Sequence, residues 1–336
     1  MSELLYSVSH LDVHFPMRDK GLFGKTRLLR AIDDVSFQVH RGETLGVVGE
    51  SGCGKSTLLR ALMRLGPATA GSLQFEGREL TDLDDKAMQP LRRDLQMIFQ
   101  DPLASLDPRM TVGQIIGEPL RALEPTLDAA SRRERVLELM RRVGLLPEQV
   151  NRYAHEFSGG QAQRIGIARA LIVEPRLLVC DEPVSALDVS IKSQVINLLM
   201  DLRTERGLTY VFIAHDLASV RHIADRVVVL YLGRVMEIAD RDALYAAPLH
   251  PYTQMLLAAV PIPDPRVARQ RRMSVVRGEL PSPLDPPSGC AFRTRCPFAT
   301  RRCAEQRPAL RDVGAGQVAC HHAEAIAEGR AERASA

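Results

Sequence analysis

Gly49, Glu50, Ser51, Gly52, Cys53, Gly54, Lys55, Ser56 and Thr57 run in the order G-x-x-x-x-G-K-[ST]. Glycines in such a loop let successive backbone N–H groups turn inward around phosphates. Lys55 then reaches the β and γ oxygens, and Ser56 offers a hydroxyl to Mg²⁺ at the positive end of a helix. The ligand this chemistry implies is a nucleoside triphosphate. Asp181 and Glu182 end an apolar run and suit a divided labour, Asp181 holding the Mg²⁺ shell and Glu182 polarising an attacking water. Gln100 closes another apolar run, where its amide could sense Mg²⁺ and that water. His215 closes a third, within reach of a γ-phosphate. Ser158, Gly159, Gly160 and Gln161 open a helical pattern and offer a second phosphate-grasping N-terminus.

These residues need particular elements to hold them. Thr44–Val48 reads as the strand before the phosphate loop and Leu58–Arg64 as the helix after it. Leu95–Phe99, Leu177–Cys180 and Tyr210–Ala214 read as further strands, each ending in the polar residues that a parallel sheet presents at its carboxyl edge. Leu11, Val13 and Phe15, then Val35, Phe37 and Val39, alternate with polar residues and predict an antiparallel start. The basic, glycine-punctuated stretch 17–27 between them reads as an exposed loop. From about 101 to 175 the pattern is helical, with Ser131 and Glu134 as a capping box, Gly144 as a stop, and a helix over Ile165–Ile172. The fold class is α/β with a helical insert. There is no internal repeat.

Composition bounds the rest. At 336 residues and 45% hydrophobic, the chain can bury one large core plus a smaller unit. With 44 basic against 41 acidic residues, its net charge of +3 does not call for nucleic acid. No run approaches a membrane span, and Glu3 and Asp12 stand where a signal peptide would be apolar, so a cytosolic location is expected. Beyond about 245, prolines (261, 263, 265, 281, 283, 286, 287) mark a loop-rich C-terminal unit. Its arginines (266, 269, 271, 272, 277, 293, 295, 301, 302) predict a basic surface, either solvated or beside anionic lipid headgroups. Cys290, Cys296, Cys303 and Cys320 lie there with spacing C-x5-C-x6-C-x16-C. In a reducing cytosol that favours metal ligation over disulfides, and four thiolates suit a [4Fe-4S] cluster or a tetrahedral Zn²⁺, cysteines without any metal being the remaining alternative. Cys53 and Cys180 read as packing residues.

Taken in order, the phosphate loop, Gln100, Phe157-Ser-Gly-Gly-Gln161, Asp181-Glu182, Ser185-Ala-Leu-Asp188 and His215 resemble the ATP-binding cassette (ABC) ATPases over about residues 4–240. The resemblance implies a P-loop, RecA-like core with an antiparallel β-subdomain and a helical subdomain. It implies Gln100 as the Q-loop residue, Ser158 to Gln161 as the signature, Glu182 as the catalytic carboxylate, Asp188 in the D-loop and His215 as the switch histidine. Phe15 is either the partner for adenine or a core aromatic. Phe157 stands where the family usually has Leu, on the apolar side of the signature. One copy of each motif implies a two-subunit sandwich closed by ATP and opened by hydrolysis.

Gln96–Arg109, Glu156–Arg164 and Leu249-His-Pro-Tyr-Thr253 are similar to the ATPases of bacterial oligopeptide and dipeptide importers, and the tail from Gly278 to Cys320 to the second of their two paired ATPases. This implies an ATP-binding domain over 1–245 and an extension over 246–330 that carries an iron-sulfur cluster in some relatives. It implies as partners a second ATPase, two membrane permeases facing Gln100 to Arg109, and an external peptide-binding protein, with the chain on the cytoplasmic face of the inner membrane. Nucleic acid is not an expected partner. The rival expectation is a soluble ABC ATPase acting on nucleic acid or ribosomes through its basic tail.

Overall fold

Apolar alternation at the amino end produces two long strands, β1 (Leu4–Arg18) and β2 (Thr26–His40), whose inward residues Leu5, Leu11, Val13, Val35, Phe37 and Val39 are buried. The computed structural model describes residues 3–18, 26–260 and 279–331. Met17 and Arg18 therefore end β1, and Thr26 and Arg27 begin β2. The rest of the expected 17–27 loop lies outside the described residues, as do Pro261, Pro263, Pro265 and the arginines at 266, 269, 271, 272 and 277. Further strands are β3 (Thr44–Val48), β4 (Ala70–Phe75), β5 (Arg78–Glu79), β6 (Leu95–Ile98), β7 (Leu177–Asp181), β8 (Thr209–Ala214), β9 (Arg226–Tyr231), β10 (Arg234–Asp240), β11 (Arg311–Val313) and β12 (Gly316–Val318). Contacts divide the chain into two compact units. One lies within Met1–Tyr6, Val39–Thr44 and Phe75–Ala214, the other within Ser7–Gln38, Leu45–Gln74 and His215–Ala336.

In the first unit β6, β7 and β8 run parallel, in register Leu95 to Leu177 and Leu177 to Thr209. Every residue of β7 and β8 is buried, as expected of strands covered on both faces. The helical insert is present as Val112–Leu123, Ala129–Arg142 and Gly159–Leu171. Its middle helix starts earlier than the sequence suggested. Asp128, not Ser131, is the cap, accepting from the N–H groups of Ala130 and Ser131 at 2.9 and 3.0 Å. Ser131 sits in the first turn and donates its hydroxyl to Asp128 at 2.6 Å. Gly144 does stop that helix, with φ at 75°.

In the second unit β3 pairs parallel with β9, and β9, β10, β12 and β11 follow one another antiparallel. The strands β11 and β12 belong to the proline-rich end of the chain, whose composition did not announce them. Val318, Cys320 and Ala323 are buried there, packed with Leu249, Val313 and Ile326. Among the described residues, no helix is long and apolar enough to cross a membrane.

A buried carboxylate anchors the turn after Ala246. Glu237 of β10 accepts from the backbone N–H groups of Leu249 and His250 at 2.8 and 2.9 Å. His250 Nδ1 in turn accepts from the Tyr252 N–H at 3.0 Å and caps the helix Pro251–Ala258. Burial drops the His250 imidazole to about 3. Its folded pKa is thus below its ordinary value, so the unfolded chain takes up the proton first. Stability from this group falls as pH drops through 6.5 toward 3, at a limiting slope of roughly 1.4 kcal/mol per pH unit. Burial raises Glu237, which acts in the opposite sense above the ordinary glutamate range. His250→Asn keeps a capping acceptor without the titration. Its urea midpoint is expected to fall less between pH 7 and pH 4.5 than that of the natural chain.

Candidate functional site

The phosphate loop follows β3, whose five residues are all buried, and opens the helix Lys55–Leu62. That helix begins three residues before the expected Leu58, so Lys55, Ser56 and Thr57 form its first turn. Gly52 and Gly54 have φ of 79° and 108°, conformations that L side chains rarely adopt. A Cβ on Gly49 would strike the Leu230 carbonyl, and one on Gly54 would strike the Ala31 carbonyl. The loop is fastened from beneath, with the Gly233 N–H donating to Cys53 O at 2.8 Å and the Cys53 N–H to Glu50 O at 3.2 Å. Cys53 is buried, and burial pushes its thiol up, in keeping with a packing role. Lys55 is also buried and donates from Nζ to the carbonyls of Gly49 and Glu50 at 2.7 and 3.2 Å. The helix takes no side-chain cap, so its first-turn amides and the Lys55 ammonium together suit a polyphosphate. Phe15 is half-buried on β1, and His215 is exposed just ahead of Asp216, which caps the helix Leu217–Ile223.

The first unit holds the other motifs. Asp181 is the buried last residue of β7. Glu182 follows it with φ at 42°, held by its N–H donating to Ile213 O at 3.1 Å. Gln100, two residues beyond β6, donates from Nε2 to the Glu182 carboxylate at 3.2 Å. The structure thus brings Gln100 and Glu182 together beyond the carboxyl ends of β6 and β7. Mg²⁺ takes few protein ligands and keeps waters and substrate phosphates, and within this unit the oxygens of Gln100 and Asp181 are of the kind it accepts.

Ser158 caps the helix Gly159–Leu171 in a reciprocal box with Gln161. The Gln161 N–H donates to Ser158 Oγ at 3.4 Å, and the Ser158 N–H to Gln161 Oε1 at 3.1 Å. The helix starts inside the signature rather than at Ile165. Phe157 is buried, away from the exposed Ser158 and Gly159. Gly160 is required, since a Cβ there would meet Ile191. Further along this helix Arg169 donates to Ser105 O at 2.6 Å and lies over the Phe99 ring, tying the signature helix to the segment after Gln100. Asp188 is exposed at the N-terminus of the helix Val189–Arg206.

A model of the family described as "ABC transporter" matches residues 32–185, and one described as "Oligopeptide/dipeptide transporter, C-terminal region" matches 236–303. The chain is 54% identical over 320 residues to the oligopeptide transport ATP-binding protein OppF of Escherichia coli (strain K12), covering 95% of this chain and 96% of that one. The chain belongs to the ATP-binding subunits of ABC transporters. It is also 51% identical over 324 residues to the di/tripeptide transport ATP-binding protein DppF of Pseudomonas aeruginosa (strain UCBPP-PA14), covering 96% and 98% of the two chains. Among solved structures, it is similar to a dimeric post-hydrolysis state of the ATP-binding cassette MJ0796 bound to ADP and Pi. There the TM-score is 0.64 and the identity 28%, over 70% of this chain and 99% of that one. This ABC subunit is therefore an ATPase with the cassette fold.

The cysteine expectation is overturned. Among the described residues, no group of three or more His, Cys, Asp or Glu is placed to hold a metal ion, so neither a [4Fe-4S] cluster nor Zn²⁺ is assigned to Cys290, Cys296, Cys303 and Cys320. The physical reason lies in their surroundings. Burial raises Cys290 and pushes Cys296 and Cys320 up to about 12 and about 11, which suits protonated thiols packed in an interior. They act as small apolar residues and weak hydrogen-bonding groups. The Cys290 N–H donates to Cys303 O at 2.8 Å, and Cys303 Sγ lies 3.5 Å from His322 Nε2. The expected basic surface is corrected at one point as well. Arg301 and Arg302 are exposed, but Arg295 is buried.

Sequence reasoning missed two residues that touch the phosphate loop. Tyr252 accepts at its hydroxyl from the Glu50 N–H at 2.9 Å, and Arg295 donates to the Glu50 carboxylate. The word Leu249-His-Pro-Tyr-Thr253 pointed to a family without giving Tyr252 a task. Nothing local to Arg295 set it apart from the arginines around it.

Proposed function

We propose that this ABC ATPase powers the import of oligopeptides or dipeptides across a bacterial inner membrane. The observation that carries this is full-length similarity to peptide transport ATP-binding proteins together with the matched C-terminal region at 236–303. Its partners are two membrane permeases, a second ATPase forming a heterodimer with it, and an extracytoplasmic peptide-binding protein. It sits on the cytoplasmic face of the membrane, held there by the permeases, which the segment Gln100 to Arg109 faces. Residues 1–245 form the ATP-binding domain and 246–330 the extension.

Within the cycle, Lys55 and the phosphate-loop amides bind the β- and γ-phosphates, and Ser56, Gln100 and Asp181 hold Mg²⁺. Phe15 takes the adenine. Glu182 orients and deprotonates the attacking water, and His215 reads the γ-phosphate. Ser158 to Gln161 serve the ATP held by the partner ATPase, with Asp188 beside them. Mg²⁺, when bound, neutralises charge on the transferring phosphoryl group. Closing on ATP and opening after hydrolysis supply the stroke.

The test is an affinity pull-down of the tagged protein from gently solubilised membranes, with mass spectrometry of partners. Two permeases and a second ATPase are expected. Ribosomal proteins or nucleic acid in place of permeases would overturn the reading.

A further inference from the structure

Glu50 fills the first unspecified position of the phosphate-loop pattern, yet it is pinned at every polar group it has. Its N–H donates to the Tyr252 hydroxyl, its carbonyl accepts from Lys55 and from the Cys53 N–H, and its carboxylate receives both terminal nitrogens of Arg295 at 2.6 and 2.9 Å. Two of these partners come from the C-terminal part of the chain. The Arg295 side chain is only 4% exposed, against 29% for Glu50, so the guanidinium is committed to this fork. Its position is set by rings. It lies 5.9 Å from the centroids of both Tyr231 and Phe292. Those two rings meet each other and Tyr252 at 4.6 to 5.3 Å. In a chain with nine Phe, six Tyr and no Trp, two rings against one arginine, themselves backed by a third, mark a built support.

We propose that Arg295 is a positioning residue for nucleotide binding, holding the phosphate loop open to the triphosphate by neutralising and fixing Glu50. Without the guanidinium, the Glu50 carboxylate would be left beside the loop with no counter-charge, repelling a polyanion and competing for Lys55. Arg295 acts through Glu50 and takes no part in the chemistry. The C-terminal region thereby becomes part of the nucleotide-binding apparatus. This rests on the reading of the phosphate loop as the ATP site.

Binding of a fluorescent N-methylanthraniloyl ATP with Mg²⁺ to the full chain tests it. Arg295→Met is expected to weaken binding about tenfold, which corresponds to about 1.4 kcal/mol. Adding Glu50→Gln to it removes the orphaned charge and is expected to restore affinity to within about threefold of the natural chain, a rescue that a merely unfolded tail would not show. Affinity unchanged in Arg295→Met, or a double variant no better than the single, overturns the proposal. Should Arg295→Met not fold, Arg295→Lys reads the same quantity, since it keeps the charge but cannot span both oxygens. About threefold weaker binding is then expected, and no change overturns the proposal. Lys55→Ala run in parallel separates the two levels. If it retains full binding, the reading of the loop itself fails. If it loses binding while the Arg295 variants do not, only the positioning role fails.

Discussion

Glu182→Gln is expected to bind ATP normally and to hydrolyse it at least about 100 times more slowly, the scale at which a positioned general base contributes. The exchange is nearly isosteric, and the fold around it has little reason to move. Glu182 is fixed by its backbone, whose N–H donates to Ile213 O and whose carbonyl accepts from Ser185 N–H and Oγ at 3.1 and 3.0 Å. Its φ of 42° does not distinguish Glu from Gln. An amide oxygen can still accept from Gln100 Nε2, so the Gln100 contact survives too. What is lost is the ability to take a proton from water. Single-turnover phosphate release alongside equilibrium ATP binding separates the two effects. Turnover at the natural rate would remove Glu182 from the catalytic role.

The second large effect belongs to Gly54→Ala. At φ 108° an L residue is strained by about 1–3 kcal/mol before any contact is considered. Here the new Cβ would also run into the Ala31 carbonyl and press on the Ile32 side chain at 3.0 Å. The Ala31 carbonyl belongs to backbone that cannot swing aside, so the loop must move and take the first turn of the helix with it. ATP affinity is expected to fall by about 100-fold or more, in line with the roughly 3 kcal/mol involved, together with a lowered Tm. Gly52→Ala is the internal comparison. Its φ of 79° carries strain, but a Cβ there meets nothing within 4 Å, so about 1–2 kcal/mol and a far smaller loss of affinity are expected. Equal effects of the two substitutions would show that conformation alone, and not collision, limits the loop.

The legible parts of this protein are those where chemistry and local pattern coincide. The phosphate loop, Gln100, the signature and Asp181-Glu182 each stand at the end of an apolar run or the start of a helix, and the structure puts them at strand ends and helix starts. Helix boundaries were less legible. Asp128 and Ser131 are both good caps, and only the three-dimensional start at Ala129 chooses between them. The four cysteines misled because spacing records order along the chain and says nothing of whether the side chains are placed to share one metal ion. Tyr252 and Arg295 were illegible for a different reason. Their partner is Glu50, 202 and 245 residues away, and a contact of that range leaves no periodicity or spacing to read.

The pairing of β12 against β10 carries one more consequence. Val235, Met236 and Ile238 make β10 an apolar strand, and Val318 and Gln317 cover its outer backbone opposite Glu237 and Ile238. A fragment trimmed to end near residue 245 would bare that backbone as a sticky edge, inviting self-association of the kind that natural sheets avoid. In the intact chain the sheet finishes instead on β11, three residues long, with Arg311 and Asp312 exposed. The short charged strand is a hem: it lets an apolar sheet stop in water without seeking another copy of itself.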